Sequence, residues 1–168
     1  MPPCRFKRIR QLFDDNGHNL GEKGHEFGAT TGRQRRCGWL DIVSLKRSLD
    51  INSVTGICIT KLDVLDGFES VKVVTSYRLP DGSTLDTFPA DSEVALELEP
   101  VFEELPGWPS PLEGVVSEKD LPSEAESYVR FLEEHIGAPV VIVSTGPRRE
   151  ETLIRGDSEL ADQLRAIV

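Results

Sequence analysis

Three short segments of the chain carry side chains whose types and spacing suit the binding of a purine nucleotide. The first, Ala29–Arg36, places guanidinium groups beside threonine hydroxyls and a glycine. Guanidinium groups bind phosphates and carboxylates through paired hydrogen bonds and stay charged at physiological pH, so this segment predicts a site for a small oxyanion. In an extended chain Arg33 and Arg35 point to one side and would serve that site, whereas Arg36 points away and would form a structural ion pair. A solvated basic loop is the alternative.

The second segment is Thr60-Lys61-Leu62-Asp63, which follows a short apolar run. Guanine presents its N1–H and its exocyclic amino group side by side, and one carboxylate can accept from both, whereas adenine offers no such pair. Asp63 would therefore select guanine, because the wrong base would leave a buried acceptor unpaired. The stem of Lys61 can cover the purine ring. A lysine and an aspartate at this spacing also occur in ordinary surface turns, and this alternative stays open.

The third segment, Ser144-Thr145-Gly146, follows a second apolar run. Ligands of open parallel sheets bind beyond the carboxyl ends of the strands, so this loop and the Lys61 loop are expected to face one crevice. Backbone N–H groups of the loop could then donate to O6 of guanine. A simple turn after a strand is the competing interpretation.

Helical patterns alternate along the sequence with the apolar runs that must position these segments. This alternation predicts an α/β fold with flanking helices and a largely parallel sheet. Asp81-Gly82 predicts a hairpin. A long binding loop is predicted over Asp14–Gly32, and irregular surface structure with one short strand near Val101 is predicted over Pro89–Pro122. Helices are predicted after Gly38, over Ser123–Ile136 and over about Ser158–Ile167, and strands over Gly56–Thr60, Val71–Tyr77, Thr84–Phe88 and Val140–Val143, with Gly56–Thr60 and Val140–Val143 buried on both faces.

The composition argues against several kinds of partner and site. The net charge of −10 argues against a nucleic-acid partner, which requires a broad basic surface. The three cysteines follow no disulfide or zinc pattern, which favours a cytoplasmic protein without a metal site. No apolar run reaches the roughly 20 residues that span a bilayer, so no membrane association is expected. Residues 1–11 are basic and are predicted to be a disordered leader before the 12–168 portion.

From about Leu12 to about Asp157 the chain closely resembles the C-terminal part of the adenylosuccinate synthase family. The resemblance is long and its motifs are specific. It is carried by the segments Gly24–Arg33, Arg35–Asp41, Thr60–Gly67, Leu105–Trp108 and Ser144–Pro147.

The resemblance implies the C-terminal portion of a P-loop-type ligase fold. It also implies a GTP-dependent ligation of IMP and L-aspartate in purine biosynthesis, with GTP as a substrate and Mg²⁺ as a cofactor. By the resemblance, aspartate is bound by Ala29, Thr30, Thr31, Gly32, Arg33, Gln34 and Arg35, IMP by Arg33, and GTP by Arg35, Lys61, Leu62, Asp63, Ser144, Thr145 and Gly146.

The sequence departs severely from the family, because the motifs of the family's N-terminal region do not occur in it. The Gly-Asp-Glu-Gly-Lys-Gly-Lys phosphate loop of the family, with its catalytic aspartate and magnesium ligands, does not occur in it. No catalytic and no metal-binding residue is therefore assigned, and the chain is expected to be a truncated synthase without activity by itself. Two other interpretations stay open: a guanine-nucleotide-binding module, and a regulatory chain that docks on a full-length synthase. A homodimer is a further expectation.

Overall fold

The computed structural model describes residues 15–89, 91–156 and 159–167. These residues form two compact units. The first takes the described residues up to Asn52 together with Lys72–Leu105, and the second takes Ser53–Val71 together with the described residues from Pro106 onward. The leader expected over residues 1–11 lies outside the described residues, so that expectation stays a prediction.

The chain alternates short helices and strands. The helices are α1 (Asp15–Lys23), α2 (Ile42–Asn52), α3 (Ser92–Glu97), α4 (Ser123–Ile136) and α5 (Glu159–Ile167), and the strands are β1 (Leu40–Asp41), β2 (Ile57–Ile59), β3 (Ser70–Arg78), β4 (Thr84–Leu85), β5 (Glu99–Pro106), β6 (Val140–Ser144) and β7 (Thr152–Ile154). Single 3₁₀ turns lie at Leu62–Leu65, Glu118–Asp120 and Arg149–Glu151.

The sheet of the first unit is built around β3, which pairs with β1 in parallel, with β4 in antiparallel orientation, and also with β5. Its core packs Val43 of α2 against Tyr77 of β3 and Leu98. The Tyr77 hydroxyl donates a hydrogen bond to the Asp41 carboxylate, and burial together with that carboxylate raises the pKa of Tyr77. Asp41 also accepts from the Ser44 backbone N–H at 2.9 Å, which caps the start of α2.

The sheet of the second unit has the order β2-β6-β7, with β2 and β6 parallel and β6 and β7 antiparallel. Helix α4 buries the apolar residues that recur at helical spacing, and it ends at Ile136. Gly137 caps it with a left-handed φ of 76°, which suits a glycine. The buried guanidinium of Arg155, which follows β7, lies 2.8 Å from Glu126 and 3.2 Å from Glu133, both on α4. These ion pairs fix α4 against the strand segment.

The α/β class predicted from the sequence is confirmed, as are strand β3, the Asp81-Gly82 turn and helix α4. Each sheet also carries an antiparallel pair, so the sheets are mixed rather than largely parallel. The predicted strand Gly56–Thr60 forms β2, but it is not buried on both faces, because Cys58 is exposed. Among the described residues β2 pairs only with β6, so it is an edge strand of its sheet.

Two regions expected to be irregular contain regular structure. The expected loop Asp14–Gly32 begins with helix α1, and Pro89–Pro122 contains helix α3, which was not predicted. The short strand predicted near Val101 is confirmed, but β5 is longer, with eight residues. Helix α2 begins at Ile42 rather than directly after Gly38, because Leu40–Asp41 pairs with β3 as a strand.

Candidate functional site

The basic segment of the first unit folds into a tight hairpin-like loop. Its ends are joined by a bridge between Phe27 and Gln34, and the Gly28 N–H donates to the Arg33 carbonyl oxygen at 2.8 Å. Gly32 takes a left-handed φ of 63° at the turn, which explains the glycine. The loop therefore presents Ala29, Thr30, Thr31 and Arg33 on an exposed, defined backbone.

Helix α1, which the sequence did not predict, positions this loop. A Cβ at Gly17 would overlap the Cys37 carbonyl oxygen, so only a glycine allows α1 to approach the chain after the loop. Gly21, one turn later, lies beside the Cys37 side chain. His18 contacts the Gln34 amide nitrogen through Nδ1 at 3.1 Å. Two of the five glycines that suggested a loop, Gly17 and Gly21, are therefore packing residues of a helix.

The two arginines assigned to the loop differ in their partners. Arg35 donates to Glu26 at 3.0 Å, and its N–H donates to the Glu26 carbonyl oxygen at 2.8 Å. Within the described residues the exposed Arg33 guanidinium has no carboxylate partner. Arg33 is consequently the available cation for an incoming carboxylate or phosphate, whereas Arg35 is held in place by Glu26.

In the second unit the Lys61 and Ser144 loops are joined directly. Lys61 has a left-handed φ of 59° just before the 3₁₀ turn Leu62–Leu65, and its backbone N–H donates to the Ser144 hydroxyl at 2.8 Å. A left-handed conformation is uncommon for a lysine and is held here by this hydrogen bond. The structure thus brings together two segments that the sequence predicted to meet.

Asp63 has a carboxylate oxygen that the fold leaves without a hydrogen-bond donor among the described residues. Its Oδ1 atom is buried and accepts no hydrogen bond from the described residues, although buried carboxylate oxygens are nearly always paired. The neighbouring side chain of Leu62 is fully buried and anchors the turn. An orphaned acceptor on a rigid turn is suited to accept a hydrogen bond from a bound molecule.

The Ser144–Gly146 loop is only partly available for a ligand. Thr145 is fully buried, its N–H donates to the Glu151 carbonyl oxygen at 2.9 Å, and its hydroxyl lies 2.7 Å from the Val115 carbonyl oxygen. The Thr145 N–H and hydroxyl are therefore committed to the fold and not open to a base. The Gly146 N–H forms no hydrogen bond within the described part of the chain.

Glu151, which sequence reasoning missed, lies behind this loop and is 2% exposed. Its carboxylate accepts from the Arg148 N–H at 2.9 Å and from the Gly114 N–H at 3.2 Å. These backbone hydrogen bonds, the first above all, lower the pKa of Glu151. The residue type does not mark it in the sequence: Arg148 is only three residues away, but Gly114 comes from a separate loop.

Two kinds of site are not found in the described ranges. No group of three or more His, Cys, Asp or Glu side chains there is arranged to hold a metal ion. None of the described helices combines the length and the apolar character that crossing a bilayer needs.

Comparison with known proteins gives a consistent result. A sequence model of the family described as adenylosuccinate synthetase matches residues 8–153. The adenylosuccinate synthetase of Chromohalobacter salexigens is 55% identical over 144 residues, which cover 86% of this chain and 33% of that protein. The enzyme of Hahella chejuensis is 55% identical over 143 residues, with 85% and 33% covered.

A solved structure is similar as well. The structure of fully ligated adenylosuccinate synthetase from Plasmodium falciparum matches with a TM-score of 0.81 and 37% identity, over 86% of this chain and 35% of that chain. The chain thus spans about a third of the length of the curated relatives it matches.

Proposed function

The chain belongs to the adenylosuccinate synthetase family, and from that premise we propose that it carries the guanine- and aspartate-binding portion of a GTP-dependent ligase. The whole reaction joins IMP to L-aspartate in purine biosynthesis, in the cytoplasm. In that reaction GTP would be a substrate and Mg²⁺ a cofactor, as the family implies.

The orphaned acceptor of Asp63 is the observation that carries the proposal. Guanine would donate N1–H and its amino group to the Asp63 carboxylate, while the Lys61 stem covers the ring. The Gly146 N–H would donate to O6. Three further residues would support this site. The Ser144 hydroxyl holds Lys61 in place through their hydrogen bond, and the buried Thr145 and Leu62 fix the backbone of the two loops.

The loop Ala29–Arg35 is proposed to bind the carboxylates of aspartate. Thr30 and Thr31 are exposed on the turn, and their hydroxyls supply hydrogen-bond donors. The Gly32 N–H donates to the Gly28 carbonyl oxygen at 2.8 Å, so Gly32 contributes by shaping the turn. Arg33, without a carboxylate partner in the described residues, pairs with the ligand and also contacts IMP. Gln34 steadies the loop through His18, and Glu26 orients Arg35. The GTP contact that the resemblance implies for Arg35 stays a prediction.

The alternative of a regulatory module that docks on a full-length synthase is not favoured, because the relatives named above are synthetases themselves. The family phosphate loop does not occur in this sequence, and phosphoryl transfer depends on positioning and charge stabilisation by such a loop. We therefore expect no adenylosuccinate synthesis by this chain alone.

Calorimetry on the purified chain tests the guanine proposal. GDP should bind in preference to ADP, and Asp63→Ala should remove that preference. The matched control is Asp86→Ala, which removes an exposed aspartate of the first unit and should leave GDP binding unchanged. Equal binding of GDP and ADP, or no binding by a folded sample, would contradict the proposal.

A further inference from the structure

The buried Glu151 makes contact with the Ser144–Gly146 loop along both its backbone and its side chain. Its carbonyl oxygen accepts from the Thr145 N–H, and its carboxylate accepts from the Arg148 N–H at 2.9 Å. A Cβ added at Gly146 would lie 2.6 Å from the Glu151 carboxyl carbon, so the Gly146 backbone packs directly on that group. Glu151 thus touches the loop on both sides of Gly146.

These contacts decide which backbone donors of the loop remain available. The Thr145 and Arg148 N–H groups are both used by Glu151, whereas the Gly146 N–H lies between them and forms no hydrogen bond within the described residues. Because hydrogen bonds hold the N–H groups on either side, the loop can keep the Gly146 N–H in a fixed direction. A fixed donor of this kind is what the recognition of a carbonyl oxygen requires.

We propose that Glu151 is a positioning residue for base selection: its carboxylate fixes the Gly146 N–H so that it donates to O6 of guanine. The inference rests on the proposed guanine site. Adenine carries an amino group at position 6 and offers that N–H no acceptor, so a rigid Gly146 N–H rejects it. The same N–H on a loose loop can turn toward water, and the selection weakens.

A buried carboxylate with several hydrogen bonds could act on stability alone. The two roles predict different results for the ratio of GDP to ADP affinity. If the role is purely structural, substitution of Glu151 lowers the folded fraction but leaves the ratio of GDP to ADP affinity of the folded molecules unchanged. A positioning role lowers the ratio itself, even in a variant that is fully folded.

The first test is Glu151→Gln, measured by calorimetry with GDP and with ADP under conditions where circular dichroism shows a folded chain. Glutamine keeps the shape but turns one acceptor into a donor that faces a backbone N–H. We expect the GDP-to-ADP ratio to fall roughly tenfold, in line with the loss of a charge-assisted hydrogen bond. The control is Glu150→Gln, an exposed neighbour, which should keep the ratio.

A second pair of variants removes the same hydrogen bond from its donor side. Arg148 has φ −85° and ψ 155°, which proline can adopt closely, so Arg148→Pro deletes the N–H and leaves Glu151 intact. Arg148→Ala deletes the same side chain and keeps the N–H. The proline variant should lose GDP selectivity and the alanine variant should not, and this pair decides the question if Glu151→Gln fails to fold.

The outcomes separate the two proposals. If the unaltered chain shows no preference for GDP, the guanine site and the role of Glu151 are both overturned. If the unaltered chain prefers GDP and both Glu151→Gln and Arg148→Pro keep that preference, the guanine site stands and the role of Glu151 is overturned. A fall in the ratio for these two variants, with both controls unchanged, supports the inference.

Discussion

Asp66 and Trp108 are joined by a hydrogen bond of 2.6 Å from the indole nitrogen to the carboxylate. The other oxygen of Asp66 accepts from the Leu112 N–H at 2.8 Å, and Trp108 is fully buried. Next to it, Gly107 lies so close to the Phe68 carbonyl oxygen that a Cβ would overlap it. Two of the sequence motifs that define the resemblance, Thr60–Gly67 and Leu105–Trp108, are therefore one structural contact.

The first prediction concerns this contact. Asp66→Ala leaves the buried Trp108 indole N–H and the Leu112 N–H without their acceptor, and should lower the free energy of unfolding by about 2–3 kcal/mol. Urea denaturation followed by tryptophan fluorescence measures it. The control Glu134→Ala, at an exposed position of α4, should change stability by less than about 0.5 kcal/mol. Equal effects of the two substitutions would show that Asp66 contributes nothing special.

The second prediction changes the base that the site selects. Asp63→Asn replaces a carboxylate by an amide, which provides one donor group and one acceptor instead of two acceptors. Xanthine carries a carbonyl oxygen where guanine has its amino group, so it matches the variant. Calorimetry should show GDP affinity falling roughly ten- to a hundredfold, with xanthosine diphosphate then preferred. Undiminished GDP binding by the variant would exclude a direct contact between Asp63 and the base.

The third prediction concerns the buried cation of the second unit. Arg155→Met leaves the carboxylates of Glu118, Glu126 and Glu133 without their shared partner, and should cost about 3 kcal/mol of stability. Arg130→Met, its control, removes an exposed arginine that pairs with Glu126, and should cost about 0.5 kcal/mol. The urea midpoints of the two variants compare these losses of stability. Similar midpoints would show that the buried Arg155 stabilises the fold no more than the exposed Arg130.

The fourth prediction is a pH dependence that comes from Glu151. The folded state lowers the pKa of this carboxyl, chiefly through the Arg148 N–H, so its ionised form stabilises the fold. That stabilisation is complete above the ordinary glutamate pKa of about 4.3 and is lost as the pH falls through the lower folded value.

Thermal unfolding of the unaltered chain and of Glu151→Gln between about pH 7 and pH 3 measures this loss. The difference between the two melting temperatures should be constant at neutral pH and should shrink in acid. Glu150→Gln should follow the unaltered chain at every pH. A difference that stays constant down to the lowest pH would be inconsistent with an ionised Glu151.

Local signals in the sequence were sufficient where the structure is itself local. Helix α4 was predicted with both of its ends, because its apolar residues recur at helical spacing and Gly137 ends it. Strand β3 and its turn at Asp81-Gly82 carry equally local signals. Helix α1 was missed because Gly17 and Gly21 indicate a loop by propensity, and only their packing against Cys37 explains them in a helix.

The sequence could likewise predict one part of the candidate site but not the other. Asp63, Lys61 and the Ser144–Gly146 loop follow strands and could be singled out by residue type, and the bond from Lys61 to Ser144 agrees with that prediction. The commitment of the Thr145 N–H and the place of Glu151 could not be predicted. Both depend on which backbone groups the folded loops bring together, and residue type alone carries no information on that.

The parallel pairing of Ile57 with Val140 has a consequence for protein synthesis. On the ribosome β2 emerges long before β6 is translated, so the nascent chain carries an apolar strand, with Cys58 on it, that has no β6 to pair with. Such a strand is prone to aggregate. The rate of elongation through the α4 region, and the chaperones that hold nascent chains, should therefore govern how much of this protein a cell recovers in folded form.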